Sequence, residues 1–186
     1  MKEDHLMLKT LVLCQLAVTY LSYYWSVIGL FRKDPSRETK YYRALLIVSS
    51  LTWIATVYEI ATTAAAAVNL IALFVLLALF CSLFWWAAKY AKAHKLSVAF
   101  SKDIPMSLIT EGPYKYIRNP FYASYLGTYF SIAILLLAPV TFGFAVTMAV
   151  LYYKAAKYEE RKFRGSVLAQ QFDEYCQVTG MFLPKL

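Results

Sequence analysis

From residue 119 to residue 153 the chain carries no Asp, Glu, Lys or Arg. A polypeptide in hydrocarbon must satisfy its backbone groups within the segment, so such a run is stable there as a helix, and about 20 apolar residues cross the ~30 Å core. The run is too long for one crossing. Pro139, preceded by Ala138 and followed by the glycine of "TFGF", marks the expected reversal between two spans. Three further runs have crossing length: 10–31, 44–61 with Glu59 near its far end, and 68–88. The expected fold is all-α, a polytopic membrane helical bundle of about five transmembrane helices forming one domain over residues 1–186. Composition agrees, since 60% hydrophobic and 16% charged residues lie far from the balance of a water-soluble domain.

Of the 19 Lys and Arg residues, all but Lys2 and Lys9 fall in segments 32–43 and 89–118 and in the tail from Lys154. Positively charged short loops are retained on the cytoplasmic side, so the N-terminus is expected outside and the C-terminus in the cytoplasm. Aromatic residues at 23–25, 41–42, 85–86 and 152–153 mark the same span ends. The net charge of +8 is accounted for by this asymmetry and by anionic lipid, so no nucleic-acid partner is expected. Cys14 and Cys81 fall in spans and Cys176 in the tail, which gives neither a disulfide framework nor a metal spacing. With His5 and His94 as the two histidines, no metal site is expected. The first run is too long, and lacks a small-residue cleavage site, for a removed signal peptide. Transport is disfavoured, because the spans have no paired intramembrane charges or matching broken helices.

Polar residues concentrate in two places. In "GPYKYIRNP", residues 112–120, Pro113 suits the start of a short helical turn opened by Thr110 or Glu111. Asn119 reads as an N-cap and Pro120 as the first residue of the fourth span. That register puts Arg118, Tyr122, Tyr125 and Tyr129 on one face, a polar stripe of the kind that faces a bundle interior, although an anchor and aromatic belt would use the same residues. In the tail, "AAKYEERKF" carries Glu159 and Glu160 one to two turns beyond the membrane boundary. Neighbours on a helix point about 100° apart, so one carboxylate is expected to face the bundle and the other water. A cytoplasmic amphipathic helix with Phe163, Val167, Phe172 and Tyr175 as its apolar positions follows, ended by Gly180 as a C-cap, and "MFLPKL" folds back against the membrane surface.

In this order, "GPYKYIRNPFY" from Gly112 to Tyr122, a helical hairpin, "EE" at 159–160 and "FLP" at 182–184, the chain resembles the isoprenylcysteine carboxyl methyltransferases and their prokaryotic relatives, to which the phospholipid N-methyltransferases are related. The resemblance covers residues 108–184, so residues 1–90 supply three N-terminal spans and 91–186 the cofactor-binding half. It implies S-adenosylmethionine as cofactor, with Gly112, Tyr114, Arg118, Asn119, Pro120, Tyr122, Tyr125, Glu159 and Glu160 around it, and Arg118 and Glu159 as the catalytic pair. A guanidinium suits the cofactor's carboxylate, carboxylates suit its ammonium and ribose hydroxyls, and tyrosine faces suit its sulfonium. The implied acceptor is lipid-like, foremost the carboxylate of a prenylated cysteine or similar isoprenoid acid; a phospholipid amine and a thiol are alternatives. Asn119 stands where the family has histidine, which leaves open a non-catalytic membrane scaffold that has lost activity.

Overall fold

The computed structural model describes residues 2–30, 39–92 and 107–185. The sequence features at Arg32, Lys33, Arg37, His94, Lys95 and Lys102 lie outside the described residues. Helix α1 (Lys2–Trp25) runs into a π-helical turn (Ser26–Leu30) and is followed by α2 (Thr39–Thr62) and α3 (Ala67–Ala91). A 3-10 turn (Gly112–Lys115) precedes α4 (Pro120–Leu135), α5 (Pro139–Arg164) and α6 (Ala169–Val178). Helix α3 packs on α1 and α4, and α5 packs on α4 and α2.

Three of these helices, α1 with its π turn, α2 and α3, are long and apolar enough to cross a membrane. Their outward faces are apolar, with Ile54, Val57, Val68, Val75 and Leu79 exposed, as a hydrocarbon solvent favours. On length and composition α4 and α5 differ from the two full-length spans expected of residues 119–153. Helix α4 has 16 residues, about 24 Å of rise, because the reversal uses Leu136 to Ala138. Helix α5 continues without interruption from the uncharged run into the charged segment ending at Arg164.

Buried hydroxyls are satisfied locally, as a low-dielectric interior requires. Thr19, Ser22, Thr52 and Ser131 each donate to the carbonyl one turn earlier, at 2.6–2.9 Å. At the α4–α5 reversal, Leu137 takes a left-handed backbone, φ 49, while the Ala138 N–H bonds the Ala133 carbonyl. Two side chains from other helices serve the same reversal. Asn69 of α3 donates to the Leu135 carbonyl at 3.0 Å, and the Glu59 carboxylate of α2 accepts from the Val140 and Thr141 N–H groups, both at 3.1 Å. Glu59, the intramembrane acid that the sequence leaves without a role, is thus an N-cap for α5 supplied from another helix.

Three local expectations need correction. Arg118 precedes α4 and is not on its face, because residues 116–119 lie ahead of the helix and pair with the C-terminal segment. The helix expected to carry Phe163, Val167, Phe172 and Tyr175 is two pieces: α5 runs through Phe163, a turn at 165–168 leaves Val167 fully exposed, and α6 buries Phe172 and Tyr175. Phe163 and Phe172 stack across that turn, 4.8 Å apart and 8° from parallel. Gly180 is not the helix cap; Thr179 is, in extended conformation.

Candidate active site

The site lies where α4 begins and α5 leaves the apolar part of the bundle. The Arg118 N–H donates to the Gly180 carbonyl at 2.8 Å, the Gly180 N–H to the Tyr116 carbonyl at 3.2 Å, and the Asn119 N–H to the Met181 carbonyl at 3.1 Å. This parallel pairing fixes the segment that carries the guanidinium. Asn119 occupies the position before α4 and its carbonyl accepts the first helical bond, yet its side chain does not cap the helix. The amide instead donates to the Met181 carbonyl at 3.2 Å. Gly180 is required by space: a Cβ there would lie 1.7 Å from the Leu183 carbonyl oxygen. Gly180→Ala is therefore expected to cost about 1–3 kcal/mol by overpacking and to loosen the Arg118 segment; thermal unfolding in micelles measures it.

Gly112 has φ +60, and a Cβ on it would meet the Tyr90 ring at 2.4 Å. It permits the turn that presents Tyr114 and does not itself line the cavity. Tyr114 is held by the Tyr175 hydroxyl, which donates to its carbonyl, and its own hydroxyl is buried without a partner. An orphaned buried hydroxyl normally marks a ligand contact or a bound water.

Arg118 reaches across to α5. Its Nη2 and Nε approach Glu160 Oε1 at 3.1 and 3.3 Å, and Nη1 donates to the Thr179 carbonyl. The second oxygen of Glu160 takes Lys157 Nζ at 3.0 Å. Glu160 is buried, and its two oxygens are engaged by cations. Glu159 is separate: its Oε1 accepts from the Tyr122 hydroxyl at 2.7 Å, and the residue lines the cavity. Both carboxylates are thus turned to the bundle, against the expectation that one faces water; the bend at Gly165 and the packing of α6 enclose that end of α5. Burial pushes the Glu159 carboxyl up to about 7; the neighbouring Glu160 adds to the rise, and the Tyr122 hydrogen bond and Lys162 oppose it. Burial likewise raises the Tyr114 hydroxyl, and raises Tyr175 to about 12 with Arg118 opposing.

Around these groups stands a wall of tyrosine. Tyr122 stacks on Tyr152 at 4.7 Å and 22°, and Tyr125 lies 5.5 Å from Tyr152. One cavity of about 400 Å³ joins Arg118, Glu159, Glu160 and Tyr114 to a deeper part lined by Tyr23, Ser49, Trp53 and Tyr129. The deep hydroxyls are self-satisfied: Tyr23 with Ser124 and Thr128 at 2.7 and 2.9 Å, Tyr125 with Ser26 at 3.4 Å, Tyr129 with Ser49 at 3.3 Å. That part therefore presents largely ring and aliphatic surface. Of the residues expected at the site, Tyr114, Arg118, Asn119, Pro120, Tyr122, Tyr125, Glu159 and Glu160 all line this cavity. Tyr152, Tyr175 and the α1–α2 wall were missed, since none belongs to a motif. Such a chamber can hold a molecule with charged and cationic parts at one end and an apolar body at the other.

A model of the phospholipid methyltransferase family matches residues 68–171, more than half of the chain. The chain belongs to the phospholipid methyltransferase family. It is a membrane methyltransferase of the group that includes the isoprenylcysteine carboxyl methyltransferases, whose substrates are lipid-like. A comparison with curated proteins finds no match. The family match takes in α3, α4 and α5, and with them Arg118, Tyr122, Glu159 and Glu160. Helices α1 and α2, which wall the apolar part of the cavity, lie outside it. No group of three or more His, Cys, Asp or Glu suited to a metal occurs among the described residues.

Proposed function

We propose that the protein transfers a methyl group from S-adenosylmethionine to the polar head of a lipid-like acceptor. In this reading it is a five-span enzyme, with α4 and α5 as the last two crossings, the N-terminus outside, and the amphipathic α6 with the C-terminus in the cytoplasm. The observation that carries the proposal is the continuity of the cavity: a charged mouth at Arg118 and Glu159 opens into an apolar chamber. Of the residues lining that chamber, Tyr20 and Tyr24 of α1 and Leu46 of α2 are also exposed. An acceptor dissolved in the bilayer would enter there without its chain leaving hydrocarbon.

The residues fit the cofactor. Arg118 is suited to a carboxylate, and Glu159 and Glu160 to an ammonium and to ribose hydroxyls. The orphaned Tyr114 hydroxyl offers an unfilled hydrogen bond. The faces of Tyr122, Tyr125 and Tyr152 attract a cation without competing as nucleophiles. When bound, the cofactor supplies an electrophilic methyl group on sulfur. The protein's part is to orient both partners and to keep water out. Gly112 and Pro120 act by shaping the turn and the start of α4. Asn119, tied to Met181 by side chain and backbone, is a positioning residue, which supports activity without the family histidine.

The resemblance around Gly112–Tyr122 names the carboxylate of a prenylated cysteine or similar isoprenoid acid as acceptor. A phospholipid amine is the second reading, favoured by the Glu159 carboxylate, which lines the cavity and which burial pushes up to about 7. Calorimetry of S-adenosylmethionine against the purified protein in micelles tests the proposal. Saturable one-to-one binding is expected; no heat of binding to a folded, monodisperse sample would overturn it.

A further inference from the structure

The apolar part of the cavity ends on one residue. The Trp53 indole of α2 meets three rings edge-on, Tyr20 at 4.8 Å and Tyr23 at 6.2 Å on α1, and Tyr129 at 5.7 Å on α4. All four residues line the cavity. One turn further along the same helices, Leu16, Thr56 and Ile132 are at most 2% exposed and do not line it, so the core is filled beyond Trp53. From Tyr122, which bonds Glu159, to Tyr129, which touches Trp53, α4 rises about 10 Å. A membrane lipid chain spans half of the ~30 Å hydrocarbon core, so a chain with its head at the charged mouth reaches Trp53 before it ends. The way onward is sideways. Helix α1 packs on α3 and α2 on α5, and α1 and α2 touch each other little. At that seam Tyr20, Tyr24, Leu46 and Ser50 both line the cavity and are exposed. Tyr20 belongs to the Trp53 cluster, so the seam lies open at the level where the chamber stops.

We propose that Trp53 is a specificity-determining residue, which stops one acceptor chain about 10 Å below the reacting head and turns the rest out between α1 and α2 into the bilayer. The inference rests on the methyl-transfer reading and deepens it by naming the acceptor as a lipid with a single slim chain. The deep hydroxyls bond one another, so the stretch of chain they surround is plain hydrocarbon. A cavity of about 400 Å³ is at the small end of those that hold one drug-sized molecule, and the acceptor head shares it with the cofactor. That leaves no room for the glycerol body and second chain of a phospholipid, and the geometry favours the isoprenoid acid over the phospholipid amine. Chain atoms inside the chamber exchange loosely packed hydrocarbon for close contact with rings, whereas atoms beyond Trp53 lie in hydrocarbon whether bound or free. Selectivity therefore reads chain length only as far as Trp53.

The test measures kcat/KM for dimethylallyl, geranyl, farnesyl and geranylgeranyl thioether carboxylates and for a diacyl phospholipid with an amine headgroup, with concentrations expressed within the micelle. The prenyl series is repeated as binding without cofactor, by calorimetry. For wild type both readouts should rise from dimethylallyl to geranyl, whose extended chain matches the chamber depth, and then level, with no turnover of the phospholipid. Trp53→Leu should move the levelling point to farnesyl, raising the farnesyl-to-geranyl ratio about tenfold, and should bind S-adenosylmethionine within a few-fold of wild type. Leu46→Trp narrows the seam without touching the packed end of the chamber, and should lower farnesyl and geranylgeranyl about tenfold relative to geranyl; it carries the test if Trp53→Leu does not fold. A wild-type series that keeps rising through geranylgeranyl, a folded Trp53→Leu that still levels at geranyl, a Leu46→Trp series unchanged from wild type, or a phospholipid methylated as well as the geranyl acceptor would each overturn the assignment. Binding with the expected length profile and no turnover would overturn the methyl-transfer reading and leave the role of Trp53 standing, whereas turnover without the profile would do the reverse.

Discussion

Arg118→Ala is expected to abolish S-adenosylmethionine binding and to lower stability by about 2–3 kcal/mol. Removing one partner of a fully buried ion pair costs about 3–5 kcal/mol, because the other charge is left uncompensated. Arg118 retains some exposure, and Glu160 keeps Lys157, so the loss falls below that range. The guanidinium also serves the Thr179 carbonyl, and so ties α5 and the C-terminal segment to the start of α4. Arg118→Lys should rescue neither property, since a single ammonium cannot span Glu160 and Thr179 in two directions. The double variant Arg118→Ala/Glu160→Gln should recover much of the stability and none of the cofactor binding. Unfolding in micelles with calorimetry on the same samples separates the two effects. A double variant no more stable than Arg118→Ala would show that the pair is energetically idle and that Arg118 acts through Thr179.

The helical elements were legible because a bilayer leaves few choices. Uncharged runs had to be helices, and Pro139 marks where the chain reverses between α4 and α5. Charge was a weaker guide at α5. A helix does not stop where hydrocarbon ends, so the uncharged run gave its start and not its finish at Arg164. In the sequence the glycine at 180 looks like a cap because Gly commonly ends helices. Its true constraint is the Leu183 backbone folded over it, a contact made only after the tail has turned back.

Most of the candidate site was readable as residue types and not as partners. The "EE" pair and Arg118 stood out, but no local rule couples residue 118 to residue 160 and residue 122 to residue 159. That choice follows from α4 and α5 being antiparallel neighbours with Arg118 two residues ahead of the helix. The spacing of Tyr122, Tyr125 and Tyr129 survives, since all three sit on α4 and line the cavity, while Arg118 reaches it from the bridged segment ahead of that helix. Tyr152 has the sequence position of an interfacial residue, yet it is buried against Tyr122; a tyrosine at a span end satisfies either use.

Glu59→Ala should cost about 3 kcal/mol of stability while leaving cofactor affinity unchanged. The carboxylate accepts the first N–H groups of α5, from Val140 and Thr141, at a site 7% exposed. Hydrogen bonds to a charged group contribute about 1.5–3 kcal/mol each, and the positive end of the helix dipole adds to them. Without Glu59 both donors are stranded next to hydrocarbon, where water is too scarce to replace it. Glu59→Gln retains one acceptor oxygen and should lose roughly half as much. Val140 and Glu159 are separated by about 29 Å of helix rise, so the cap and the site should be additive. Unfolding and calorimetry on Glu59→Ala and Glu159→Gln, singly and together, measure this. A loss of cofactor affinity in Glu59→Ala would mean that α5 transmits its capped end to the charged mouth as one rigid element.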